Sequence, residues 1–139
     1  MDLEDIYKFM KIFLIISTFF AAFSISANPK VYFINLEDGD RVESPFLIQF
    51  GLSGMGIAPA GTDRANTGHH HLLINVKDID LSKPIPSSSN HIHFGGGQTE
   101  SLVDLVPGDY SIQLVLGDMT HTPHNPPIIS QRINITVID

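Results

Sequence analysis

The chain contains no cysteine. That absence excludes a thiol nucleophile, a lipidated cysteine anchor, a cysteine-ligated zinc site and a blue-copper centre, whose thiolate is obligatory. It also excludes disulfides, so an exported domain built from these residues must hold together by its core alone. Basic residues are scarce: eight Lys and Arg stand against 15 Asp and Glu, a net charge of −7 with His neutral. With no Lys/Arg cluster, nucleic acid and anionic membrane surfaces are unsuited as partners. A Gly-x-Ser-x-Gly elbow is missing too, and no other positioned nucleophile replaces it. A metal-dependent oxidase or hydrolase therefore ranks behind a binding function.

Long apolar runs are confined to the N-terminus. Residues 12–25 are almost unbroken Ile, Phe, Leu and Ala, preceded by Lys8 and Lys11 and closed by Ser24, Ser26 and Ala27. This order of basic, apolar and small residues predicts a secretory signal peptide cleaved after Ala27, and hence a periplasmic or secreted protein. The run is shorter than the ~20 apolar residues a membrane span requires, so no stable membrane insertion is expected after cleavage. The acidic opening Met1-Asp2-Leu3-Glu4-Asp5 is unusual for such a peptide, and Met10-Lys11 would make a more ordinary start. Residues 28–139 would then form one domain of 112 residues carrying six basic and twelve acidic side chains. That length suffices for one modest core, since domains commonly run about 100–150 residues.

Within 28–139 the hydrophobic period is two. Strands are expected over 30–36, 46–52, 69–76, 91–94, 102–105, 110–116 and 128–138, separated by Gly, Pro, Asn, Asp and Ser clusters. Phe46, Ile48, Phe50 and Leu52 share one face of the second strand; Tyr110, Ile112, Leu114 and Leu116 share one face of the sixth. About seven short strands without helices predict an all-β, immunoglobulin- or fibronectin-like antiparallel sandwich. The turn Pro107-Gly108-Asp109-Tyr110 places Tyr110 to make the tyrosine corner of such folds. A small barrel is the alternative.

All seven histidines fall in three groups: His69-His70-His71, His91/His93 and His121/His124. Side chains two apart in a strand share a face, so His69/His71 and His91/His93 can each aim two imidazoles one way. His70 falls with Leu72 and Ile74 on the apolar face and reads as a packed core histidine. In the sandwich topology the connections flanking these groups share one end of the domain, which brings the three groups together. Neutral imidazole is the commonest protein ligand for zinc and copper. The candidate metal ligands are therefore His69, His71, His91, His93, His121 and His124, three or four to one ion, with Met55 as a thioether candidate. Met55 and Met119 at the same end tilt the expected ion toward copper ahead of zinc, because thioethers suit Cu(I). Asp63, Asp118 and Glu100 are carboxylates able to ligate or to orient an imidazole.

The blocks Phe50-Gly51-Leu52-Ser53-Gly54-Met55-Gly56, Ala58-Pro59-Ala60-Gly61 and Asn66-Thr67-Gly68-His69-His70-His71-Leu72-Leu73-Ile74 carry a resemblance. Further blocks are His91-Ile92-His93-Phe94-Gly95-Gly96-Gly97-Gln98-Thr99-Glu100 and His121-Thr122-Pro123-His124-Asn125-Pro126-Pro127. With them the chain resembles a family of small exported bacterial proteins catalogued as domain of unknown function 4399. The resemblance implies that the family signature coincides with the histidine blocks, and it implies no activity. The expectation is thus a transition-metal carrier, buffer or chaperone whose partner is the ion itself or an envelope protein. The competing reading is a cell-envelope module that binds a glycan or protein, with structural histidines.

Overall fold

The computed structural model describes residues 2–8 and 28–139. Residues 3–8 form a short helix. The expected signal-peptide run and its cleavage point lie outside the described residues. No helix among the described residues is long and apolar enough to cross a membrane.

The domain is mostly β. Nine strands follow in order: β1 Lys30–Phe33, β2 Arg41–Glu43, β3 Phe46–Ser53, β4 Gly56–Ile57, β5 Thr67–Ile74, β6 His91–His93, β7 Glu100–Val103, β8 Gly108–Gly117 and β9 Ile133–Ile138. One sheet has the order β1-β3-β7; the other runs β2-β9-β8-β5-β4, with β6 also paired to β5. The seven expected strands are present, and two short ones are added. β2 lies parallel to β9 and β4 parallel to β5. Strands of two or three residues carry too few positions for an alternation to register. The last strand is shorter than expected because 128–131 forms an irregular run: Leu116 donates to the Ile128 carbonyl and Ser130 to the Leu114 carbonyl.

The main core lies between the two sheets. Val31, Phe46, Ile48, Phe50 and Val103 from one meet Leu72, Ile74, Ile112, Leu114, Leu116, Ile133, Ile135 and Val137 from the other. Apart from Val31 and Val103, to which the alternation assigned no face, these are residues the period-two reading placed inward, each contributing about 1.5–3 kcal/mol by leaving water. Tyr110 donates from its hydroxyl to the Val106 carbonyl at 2.8 Å, the bond expected of a tyrosine corner.

The opposite face of β5 departs from expectation. His69, His71 and Leu73 alternate away from the main core, yet all three are buried. Two connections cover that side. Leu73 and Val115 pack under Ile85, with Val76, Ile79 and Ile129 around them, as a second apolar cluster. The Ile85 amide donates to the His121 carbonyl, which ties the connection before β6 to the loop after β8. A Ser/Pro-rich segment and a histidine-bearing turn thus close over the sheet, and the two-sided apolar character of β5 follows from that cover.

A candidate metal centre

The site forms on this covered face, near one end of the larger sheet. His69 sits opposite Gly117 of β8, and His71 lies opposite Val115 on one side and His93 of β6 on the other. Strand alternation sends His69, His71 and His93 to the same side. His121 comes from a tight turn after β8, in which Asp118 donates its amide to the Thr122 carbonyl and His121 donates its amide to the Asp118 carbonyl. The Asp118 carboxylate accepts from the Thr120 amide and hydroxyl and from the Thr122 amide, at 2.7 to 3.0 Å. His121 has φ of 67°, a left-handed conformation that is costly for a side-chain-bearing residue. That backbone is held by the turn on one side and by the Ile85 amide on the other.

Four imidazoles meet as a result. One ring nitrogen from each of His69, His71, His93 and His121 lies within 4.8 Å of the other three. His69 Nε2 is 3.0 Å from His71 Nε2 and 3.1 Å from His121 Nδ1. A tetrahedral ion with bonds of about 2.0–2.1 Å holds its nitrogens about 3.3 Å apart, a spacing that lies between these two contacts and the 4.8 Å limit of the group. Some of the rings meet at steep angles, His93 and His121 at 81° with centroids 4.5 Å apart and His69 and His93 at 73° and 5.0 Å, whereas His71 and His93 are tilted by 31°. His69 and His71 form a buried floor, while His121 is half-buried and His93 exposed at the rim.

Hydrogen bonding alone does not satisfy this arrangement. A neutral ring nitrogen has either one hydrogen or one lone pair, so His69 Nε2 cannot serve both contacts with good geometry. His69 Nδ1 and His71 Nδ1 are buried without a hydrogen-bond partner among the described residues. Protonation offers no relief. Burial, with the nearby His93 and His121 charges adding to it, lowers His69 from 6.5 to about 4, and Asp118 only partly opposes this. Burial, and then His69, His93 and His121, lowers His71 to about 3. Burial and His121 lower His93 as well. These imidazoles are therefore neutral near pH 7, the form in which imidazole binds a metal. The group can hold a metal ion.

The other candidates lie elsewhere. His91 shares the His93 face but sits opposite Leu73, and its Nδ1 is paired with the Ser88 hydroxyl at 2.9 Å. It is outside the group of four. His124 is outside it too: its Nε2 faces Gly68 and is buried without a partner among the described residues. Met55 packs against the main core, on the other side of the sheet from the four rings, and lines a cavity with Asn66 and His124. His70 behaves as the alternation predicted, buried against Phe50 at 5.0 Å with Nδ1 3.3 Å from the Gln98 carbonyl. Glu100 pairs with Gln49 on the smaller sheet, and Asp63 is exposed. Asp118 alone among the suggested carboxylates acts on the site, through its charge near His69 and through the turn that presents His121. The Asp118-x-Thr120-x-Thr122 pattern is the sequence signal that locates this turn.

Fold and site together define a small β domain with a partly buried four-histidine cluster on one sheet face. The family model described as Domain of unknown function (DUF4399) matches residues 48–138, and the chain belongs to that family. Neither a curated protein nor a solved structure matches it.

Proposed function

We propose that the chain is an exported domain that binds one transition-metal ion through His69, His71, His93 and His121 and passes it to a partner in the cell envelope. The observation that carries this reading is the convergence of four imidazole nitrogens within 4.8 Å. The donor set is all imidazole nitrogen, which suits zinc(II) or copper(II) and does not suit calcium or magnesium, whose ligands are oxygens. The thioether argument for copper ahead of zinc loses its support, because Met55 lies on the core side of the sheet. The buried floor gives geometry, and the exposed His93 gives an exit toward a partner's ligands. Export rests on the apolar N-terminal run and its flanks. The fold itself we read as an immunoglobulin- or fibronectin-type sandwich. The β1-β3-β7 sheet faces β9-β8-β5, and β6, in the place of the strand that usually completes the first sheet, pairs with β5 instead.

The deciding experiment is metal content and calorimetric titration of residues 28–139 with Zn(II), Cu(II) and Cu(I). One equivalent bound tighter than about micromolar, about 8 kcal/mol, is expected. Weaker binding of all three ions would refute the proposal. Unchanged affinity after His69 and His71 are both replaced by Ala would refute the site.

A further inference from the structure

We infer that Gly95 is a positioning residue of the site: its missing side chain leaves the space in which the His93 ring turns toward His69, His71 and His121. A Cβ on Gly95 would overlap that ring, falling 2.5 Å from Nε2 and nearer still to Cε1. Real Cβ atoms do not approach so closely, so either the ring or the loop would have to move. The backbone does not itself demand glycine there. Of Gly95, Gly96 and Gly97, only Gly97 is left-handed, with φ of 79°. Gly95 also has its carbonyl engaged by the Ala60 amide at 2.9 Å, and the preceding Phe94 amide donates to the His70 carbonyl at 3.1 Å. The loop is therefore anchored on both sides of the contact, whereas His93 is exposed and free to swing away. The ring is the part that yields, and when it yields the cluster loses a ligand.

The same relation recurs on the buried side. Gly117 lies at the end of β8, outside the left-handed region, and a Cβ there would fall 2.8 Å from His71 Nε2 and 3.0 Å from His71 Cδ2. A glycine in a strand commonly marks a close approach by another group. Here the group is a ligand ring, so two of the four histidines owe their placement to a neighbouring glycine.

The functional half of this inference rests on the metal reading above, and the test separates the two. Gly95→Ala, His93→Ala and the double variant are compared with the parent domain in metal-free form and by Zn(II) titration. In metal-free Gly95→Ala, proton NMR contacts from the His93 ring to the His69 and His121 rings are expected to vanish. Zn(II) affinity should fall about tenfold or more, the loss usual for a disturbed metal surround. The double variant should bind no more weakly than His93→Ala alone. Retained ring contacts in Gly95→Ala would overturn the inference. So would an equal loss of affinity in the His93→Ala background, because the glycine would then serve the loop rather than the ring. If the parent binds no zinc, the ring contacts still decide the role of Gly95 while the metal reading fails. If Gly95→Ala does not fold, recovery of the fold in the double variant supports the inference and failure of both refutes it.

Discussion

Acidification should unfold the metal-free domain well before its carboxylates titrate. His69 and His71 carry protons in the unfolded chain below their ordinary value near 6.5, but in the folded domain only below about 4 and about 3. Between those limits the unfolded state holds up to two more protons than the folded state at these positions. Folding stability therefore rises with pH in this window and is lost as pH falls through it. Each proton changes stability by about 1.4 kcal/mol per pH unit, so both together approach ~2.7 kcal/mol per pH unit. From pH 6.5 to 4 the loss is on the order of 6 kcal/mol, comparable to the whole stability of about 5–15 kcal/mol for a small domain. His70 and His124, also lowered chiefly by burial, add in the same direction. Urea unfolding in the presence of a chelator, repeated from pH 7.5 to 4.5, would measure the slope directly. Histidine proton NMR on the same samples should show two rings that do not titrate above pH 5. A midpoint that stays flat over this range, or ring shifts for His69 and His71 centred near 6.5, would refute the claim that the cluster's floor is buried and neutral.

Two further outcomes follow from the same geometry. Zn(II) at a hundred times its dissociation constant should stabilise the domain by about 2.7 kcal/mol, raising the thermal midpoint by roughly 10–20 °C at this size; calorimetric binding without any such rise would place the ion elsewhere. His91→Ala and His124→Ala should leave Zn(II) affinity within about threefold, while His69→Ala and His71→Ala should each lower it by about a hundredfold or more, and the reverse ranking would mean that the ion sits on the other histidines.

Much of this was legible in the chain because its pattern is simple where the core is simple. Alternation over 46–50 separates core from surface, and in the histidine triplet it sends His70 to the Phe50 side. The proximity of the three histidine groups also follows from antiparallel topology, since their flanking connections return to one end. What alternation cannot see is cover. Nothing in the period of β5 distinguishes a face open to water from one closed by Ile85 and the His121 turn. Nor does spacing separate His91 from His93, which share a face. They differ because cross-strand register sets His93 beside His71 and His91 beside Leu73. The placement of Met55 fails for a related reason: a loop residue has no face until tertiary packing gives it one.

The single strand β5 thus builds two interiors. Its even positions, His70, Leu72 and Ile74, hold the two sheets together; its odd positions, His69, His71 and Leu73, form the floor beneath the covering loops. A shift of one residue in the pairing of β5 with β8 would exchange the two sets. It would place two imidazoles in the main core and leave the cluster with His70 alone from this strand. The register that forms the apolar core therefore also forms the candidate metal centre, and an ion bound there would favour that register over its neighbours. In a domain without disulfides, with much of its stability sensitive to the protonation of those same rings, this coupling would make a bound ion part of the fold's support. Hydrogen exchange on the β5 and β8 amides, with and without Zn(II), reads that coupling strand by strand. Protection confined to the His121 turn would show instead that the ion stabilises the cover and not the sheet.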